Sequence, residues 1–106
     1  MQILIVNFNL DGLSEEDFAN SCDELAPAFA AVPGLVSKVW LADRAEGIFG
    51  GVYTFESDQA VDDYLQSELW AAVGATPGLV NISVRRYGVL DGPTRVTRGL
   101  VQPAGV

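Results

Sequence analysis

The sequence of 106 residues contains no histidine and only one cysteine and one lysine. The absence of histidine removes the usual axial ligand of haem, the usual ligand of catalytic metals and the commonest general base. The single cysteine, Cys22, excludes an internal disulfide, and its place on an apolar helical stripe predicts a buried small hydrophobe. The acidic residues show no metal-ligand spacing, and no glycine-rich loop opens a helix to hold a nucleotide or a flavin. We therefore expect no metal and no organic cofactor.

Long apolar runs and an excess of basic residues are also missing. Because no run of about 18 uncharged apolar residues occurs, we expect no membrane span. The chain enters a strand without a basic leader or a cleavage site, which favours a cytoplasmic protein. The formal net charge of -8 argues against nucleic acid as a partner. Four of the six basic residues lie between Arg85 and Arg98, which fits either structural arginines or a site for an anionic small ligand.

The stretch from Pro33 to Phe55 is the clearest structural signal in the chain. Two runs rich in Val, Leu, Trp, Phe and Tyr flank the polar segment Asp43 to Gly47, which predicts a β-hairpin. A strand precedes it over residues 2–9, and Ser14 is placed to cap a helix between that strand and the hairpin.

A second helix, capped by Ser57 and extending to Gly74, follows the hairpin, and the last strand spans Leu79 to Leu90. The predicted order is therefore β-α-β-β-α-β, a ferredoxin-like α+β fold with a four-stranded antiparallel sheet and two helices on one face. We assign residues 1–90 to this domain. Residues 91–106, which look too irregular for a helix, form an extension that packs on a partner subunit or is disordered.

The sheet face opposite the helices is expected to decide the function. Strand alternation places on this face six residues of the second and third strands, which are apolar or aromatic except for one lysine. They are Val36, Lys38, Trp40, Phe49, Tyr53 and Phe55. The same alternation assigns to this face the polar residues of the last strand, namely Asn81, Ser83, Arg85 and Tyr87. A mixed face of this kind is usually covered by a second subunit, so we predict a homodimer whose sheets enclose a cavity.

Several short motifs carry a resemblance to a known family. They are Pro33-Gly34-Leu35, Lys38-x-Trp40, Gly50-Gly51-x-Tyr53-x-Phe55, and Ala60 with Tyr64. Over about residues 1–90 the chain resembles the YdhR-type mono-oxygenase family of the dimeric α+β barrel superfamily. That superfamily also contains cofactor-independent anthrone oxygenases, polyketide cyclases and haem-degrading enzymes. The resemblance implies a cofactor-independent mono-oxygenase that acts on a hydrophobic phenolic or polyketide-like molecule in the barrel cavity.

In the related oxygenases a deprotonated phenolic substrate reacts with dioxygen directly, so the protein supplies shape, a proton acceptor and donors for the oxyanion. The catalytic candidates with suitable groups are Asn7, Lys38, Trp40, Tyr53 and Arg85. The candidates for substrate binding are Phe49, Phe55, Trp70, Asn81, Ser83 and Tyr87. Trp40 and Tyr53 also fit a purely structural role in the core, and Arg85 also fits an ion pair with the partner. A cyclase or lyase without oxygen chemistry and a non-catalytic ligand-binding dimer are the alternative functions.

Overall fold

The computed structural model describes residues 1–99. Four antiparallel strands form one sheet in the order β2-β3-β1-β4. The strands are β1 (Gln2–Leu10), β2 (Leu35–Asp43), β3 (Ile48–Phe55) and β4 (Leu79–Gly88). β1 pairs with both β3 and β4. This central position explains why β1 is apolar on both faces.

The structure has four helices, of which the first two begin at the serines that the sequence indicated. They are α1 (Glu15–Ala30), α2 (Asp58–Leu65), α3 (Glu68–Ala75) and α4 (Asp91–Val96). The side chains of Ser14 and Ser57 cap α1 and α2, each accepting a backbone N–H at 3.1 Å. Within residues 1–99, no helix is long and apolar enough to cross a membrane.

The prediction of one continuous second helix is wrong. The helix ends at Leu65, and Ser67 starts α3 by accepting the backbone N–H of Trp70 at 3.2 Å. The Ser67 hydroxyl also donates to the carbonyl oxygen of Tyr64 at 2.6 Å. Because serine binds neighbouring backbone groups so readily, it favours a helix start over a helix interior.

The tail differs from the prediction as well, because residues 91–96 form the short helix α4. Pro93 lies in its first turn, where a missing backbone N–H costs no helical hydrogen bond. Residues 100–106 lie outside the described part of the chain. The domain boundary at residue 90 and the contact of the tail with a partner therefore stay predictions.

The hydrophobic core lies between the sheet and the helices. Its buried residues are Leu4, Val6, Phe8, Phe29, Phe49, Tyr53, Phe55, Ala60, Val61 and Tyr64. Residues directly opposite each other in an antiparallel pair share a face. Leu4 lies opposite Tyr53, and Lys38 also lies opposite Tyr53. The helix-covered face therefore includes the aromatic residues of β3 together with Lys38 and Trp40 of β2.

The predicted composition of the face opposite the helices is wrong, because Lys38, Trp40 and the rings of β3 do not lie there. Ser83, Arg85 and Tyr87 lie opposite Asn7, Ile5 and Ile3 of β1 and occupy the open face, away from the helices. The alternation over Ser83, Arg85 and Tyr87 is as predicted, but the relation between the strands is not. The physical reason is burial, since the large rings of β3 gain most when the helices cover them.

A β-bulge in β4 adds to this difference. The pairing of β1 with β4 shifts between Asn7 and Asn9, and Asn81 has a positive φ of 56° at that point. The Asn81 amide donates to the side-chain oxygen of Asn9 at 3.0 Å, and the Asn9 amide donates to the Gly47 carbonyl at 2.8 Å. Asparagine tolerates this backbone conformation better than most residues. The bulge interrupts the simple alternation that the sequence suggested for the whole strand.

Candidate active site

Lys38 lies in a cage of three aromatic rings on the helix-covered face. Its Nζ atom is 3.4 Å from the ring centroid of Phe29, 3.4 Å from that of Trp40 and 4.7 Å from that of Tyr53. Phe29 comes from α1, whereas the other two rings come from β2 and β3. The faces of aromatic rings attract an ammonium group. We call these four residues the Lys38 cage.

Gly51 makes room for the lysine side chain. It lies opposite Trp40 in the β2-β3 pair, and a Cβ atom added to it would lie 2.9 Å from the Cε atom of Lys38. The aliphatic part of Lys38 therefore packs along the bare backbone of β3. The second glycine of the Gly50-Gly51 motif thus allows the amine to reach the cage.

The amine of Lys38 has no acidic partner among residues 1–99. The ion pairs described there join Arg44 to Glu15 and Arg86 to Asp58 and Asp62. Burial without a carboxylate lowers the pKa of Lys38 to about 7, and the smaller Coulombic effect of the nearby Cys22 acts in the opposite direction. A substantial fraction of Lys38 is therefore a neutral amine near neutral pH, which makes it a proton acceptor.

A pair of buried tyrosine hydroxyls lies beside the cage. The Tyr64 hydroxyl donates to the Tyr53 hydroxyl at 3.1 Å, and both residues are nearly inaccessible. Burial raises the pKa of Tyr53 and of Tyr64. Both phenols therefore stay protonated. Because the Tyr53 hydroxyl accepts in its bond to Tyr64, its own proton can be donated to another group.

A small cavity of about 80 Å³ adjoins the cage and is mostly apolar. Two open grooves lie outside it, between α1 and β2, with volumes of about 310 Å³ and about 330 Å³. Trp40 lines all three spaces, is 37% exposed and contacts Phe29 edge-to-face at 5.2 Å. A drug-sized ligand usually needs a pocket of about 300 Å³ or more. An aromatic ligand of that size would therefore occupy a groove as well as the cavity, with Trp40 at the junction.

The structure divides the predicted site residues between two faces. Lys38, Trp40 and Tyr53 come together in the cage, and Phe49 lines the groove of about 310 Å³. Phe55 is fully buried behind Tyr53, with stacked rings 6.0 Å apart. Trp70 packs against the Tyr64 ring at 5.7 Å rather than at the cavity.

The remaining candidates lie away from the cage, namely Asn7, Asn81, Ser83, Arg85 and Tyr87. Sequence reasoning missed Phe29, which completes the cage, and Gly51, which makes room for the Lys38 side chain. The apolar spacing of Phe29 on α1 indicates that it faces the sheet, but nothing in the sequence pairs it with Lys38. The sequence likewise marks Gly51 as a structural glycine, without indicating the lysine that it accommodates.

The sheet order, the helices on one face and the open opposite face define a ferredoxin-like α+β fold of the dimeric α+β barrel class. The model of the family described as "Putative mono-oxygenase ydhR" matches residues 3–100. The chain belongs to this family. A search of curated protein sequences found no match.

Solved structures with the same fold are distant in sequence. The haem-degrader MhuD from Mycobacterium tuberculosis, with two haems in its active site, is 18% identical; the alignment covers 85% of this chain and 96% of that chain, with a TM-score of 0.68. A mutant form of SnoaB, a cofactor-independent oxygenase from Streptomyces nogalater, is 18% identical over 84% of this chain and 93% of that chain, with a TM-score of 0.66. An antibiotic biosynthesis monooxygenase is 14% identical over 85% of this chain and 99% of that chain, also with a TM-score of 0.66. At these identities the similarity establishes the fold.

Proposed function

We propose that this protein is a cofactor-independent mono-oxygenase that oxidises a hydrophobic phenolic or polyketide-like molecule. One observation carries the proposal: an amine without an acidic partner in residues 1–99, Lys38, lies among aromatic rings at the junction of an apolar cavity and an open groove. Such a site binds a planar aromatic molecule and holds a proton acceptor beside it. The family membership and the similarity to SnoaB support the same reaction class.

The chemistry follows from the charge change at Lys38. The neutral amine takes a proton from the substrate, and the resulting ammonium group stabilises the substrate anion. The substrate carbanion then adds dioxygen to give a peroxide. If the reacting carbon is a methylene group, as in an anthrone, loss of water from the hydroperoxide leaves a carbonyl group. The methylene group supplies the four electrons that reduce dioxygen, so no external reductant is needed.

A haem-based reaction fits these residues poorly. Haem is bound in the active site of MhuD, but this sequence contains no histidine to ligate haem iron. The basic group at the cavity is the Lys38 amine, which the cage surrounds with rings. The proposed reaction therefore uses no haem.

The proposed active unit is a homodimer formed through the open face of the sheet. Apolar side chains cover this face, including Ile3 and Ile5 of β1, Val52 of β3, and Val39, which is 57% exposed. Contiguous apolar surface on a small protein usually marks an interface. A second copy would bury these side chains while leaving the Lys38 cage on the other face of each sheet.

Oxygen uptake tests the proposed reaction. Purified protein is mixed with a panel of hydroxyanthrones and related polyphenols in the presence of a metal chelator, and the products are identified by mass spectrometry. We expect uptake above the uncatalysed rate and a product that has gained oxygen. A product of unchanged oxygen content would instead identify a cyclase, and the absence of any turnover with retained binding would identify a ligand-binding dimer.

A further inference from the structure

The Lys38 amine has the properties of a nucleophile as well as those of a base. Lysines that form covalent imines with carbonyl compounds are typically desolvated in apolar pockets and kept partly uncharged. Lys38 meets the geometric conditions: aromatic rings lie within 5 Å of its Nζ atom, and none of the ion pairs described for residues 1–99 includes it.

The amine is also accessible. Lys38 lines both the small apolar cavity and the open groove of about 330 Å³ along α1 and β2. A carbonyl group can therefore approach from the groove while its ring system packs against Trp40. The two spaces together provide room for the ligand and for the water that imine formation releases.

We propose that Lys38 is a covalent binding site for aromatic aldehydes and ketones. The Nζ lone pair attacks the carbonyl carbon and forms a C–N bond, while the electrons of the C=O π bond move to oxygen. The resulting carbinolamine loses its oxygen as water, and the nitrogen gives up its protons as the C=N bond forms. The Tyr53 hydroxyl, which borders the same cavity, can supply a proton to the departing oxygen. No electrons are exchanged with an outside reagent, so dioxygen takes no part.

Aromatic carbonyl compounds fit this site better than aliphatic ones. The walls around the amine are the rings of Phe29, Trp40 and Tyr53, which favour stacking and edge contacts with a planar ligand. An ortho-hydroxyl group on the ligand would stabilise the imine by an internal hydrogen bond. We therefore expect hydroxynaphthaldehyde to react faster than an aliphatic aldehyde of similar carbonyl reactivity.

The test uses reductive trapping under anaerobic conditions. The full chain is incubated with hydroxynaphthaldehyde and cyanoborohydride near neutral pH, and labelling is followed by intact mass and peptide mapping. Since Lys38 is the only lysine, the α-amino group is the only competing primary amine in the sequence. We expect Lys38 to be labelled about tenfold faster than an ordinary exposed lysine, with saturation at rising aldehyde concentration and loss of the advantage in denaturant.

A matched control comes from Arg95 on α4, which is exposed. The variant Arg95→Lys introduces an amine outside any aromatic cage, within the same molecule as Lys38. The variant Gly51→Ala adds a methyl group that displaces the Lys38 side chain and is expected to slow labelling at Lys38 alone. Equal labelling of Lys38 and the introduced amine, or labelling unaffected by Gly51→Ala and by unfolding, would overturn the proposal.

The outcome is independent of the proposed oxygenase reaction. Labelling at Lys38 without oxygen uptake would support the covalent site and remove the mono-oxygenase. Oxygen uptake without preferential labelling would overturn the covalent site and leave Lys38 as a base.

Discussion

The two faces of the single sheet differ in what covers them and in what they offer. The helix-covered face is packed with large rings, so that Phe55 and Leu4 have no exposed surface, and it holds the only lysine. The open face carries aliphatic side chains such as Ile3 and Ile5, together with Val39 at 57% and Tyr87 at 49% exposure. In the proposed function, the reaction takes place on the helix-covered face. The open face, by contrast, carries the apolar side chains of the proposed dimer interface.

Gly50 and Gly51, two consecutive glycines of β3, are expected to differ sharply in their tolerance to substitution. A Cβ atom on Gly50 would collide with the backbone carbonyl oxygen of Val6, whereas the closest atom to one on Gly51 would be Cε of the Lys38 side chain. A backbone atom of the central strand cannot move aside, but a lysine side chain can. Substitution of Gly50 therefore tests the stability of the sheet, whereas substitution of Gly51 tests the geometry of the cage.

The largest expected effect is on stability, from Gly50→Ala. We expect this substitution to lower the free energy of unfolding by about 4 kcal/mol, measured by urea denaturation, or to prevent folding altogether. Gly74→Ala in α3 serves as the control, because a Cβ atom there meets nothing within 4 Å; it should be neutral or stabilise by about 0.5 kcal/mol. Equal unfolding midpoints for the two variants would contradict the packing argument.

The next effect is on turnover, from Lys38→Met. Methionine keeps the apolar stem but removes the proton acceptor, so we expect oxygen uptake with the best substrate to fall about 100-fold or more. Stability should be retained, because methionine keeps the apolar stem and removes a half-buried amine that has no carboxylate partner in residues 1–99. Arg95→Gln removes one positive charge from the exposed helix α4 and should leave turnover unchanged. Equal losses in both variants would show that net charge, rather than the cage, supports the reaction.

The open face is tested by Val39→Asp. A carboxylate at this position would be desolvated in the proposed dimer, so we expect the variant to be a folded monomer by light scattering while the wild type is a dimer. Asn20→Asp, which also adds one negative charge, is the control, since Asn20 is exposed on α1, a helix that covers the opposite face of the sheet. A wild type that is already monomeric, or a variant that stays dimeric, would show that this face is not the interface.

The last prediction is a pH dependence of stability that originates on the helix-covered face. The pKa of Lys38 falls from 10.5 to about 7 on folding. Between these values the unfolded chain binds more protons than the folded one, so the free energy of unfolding should rise as the pH increases. We expect the stability of the wild type, relative to that of Lys38→Met, to rise from pH 7 to pH 10.5 and to be constant below pH 7. A relative stability that is flat across this range would mean that Lys38 titrates as an ordinary exposed lysine.

Much of the local structure could be predicted from the sequence. Ser14 and Ser57 marked the helix starts, and the polar segment Asp43 to Gly47 marked the hairpin loop, because caps and turns depend on nearby residues. The split between α2 and α3 was missed even though Ser67 is a cap of the same type. Its signal is local but weak, since a serine in a helix interior is also common.

Arg85 and Arg86 show where local patterns stop being informative. The two residues are adjacent, yet Arg86 pairs with Asp58 and Asp62 of α2, whereas Arg85 lies on the open face. Alternation determines that the two side chains lie on opposite faces of the sheet, but it does not determine which face the helices cover. The predicted site therefore combined Arg85 with Lys38, although the sheet lies between them.

The sequence by itself determined the order of the elements, the helix caps, the hairpin and the family, because each depends on short-range preferences or on motifs within one segment. The tertiary structure decided which face of the sheet the helices cover, where β4 bulges at Asn81 and which ring from α1 completes the Lys38 cage. These features depend on the total apolar area buried when distant segments pack together, which no single segment specifies.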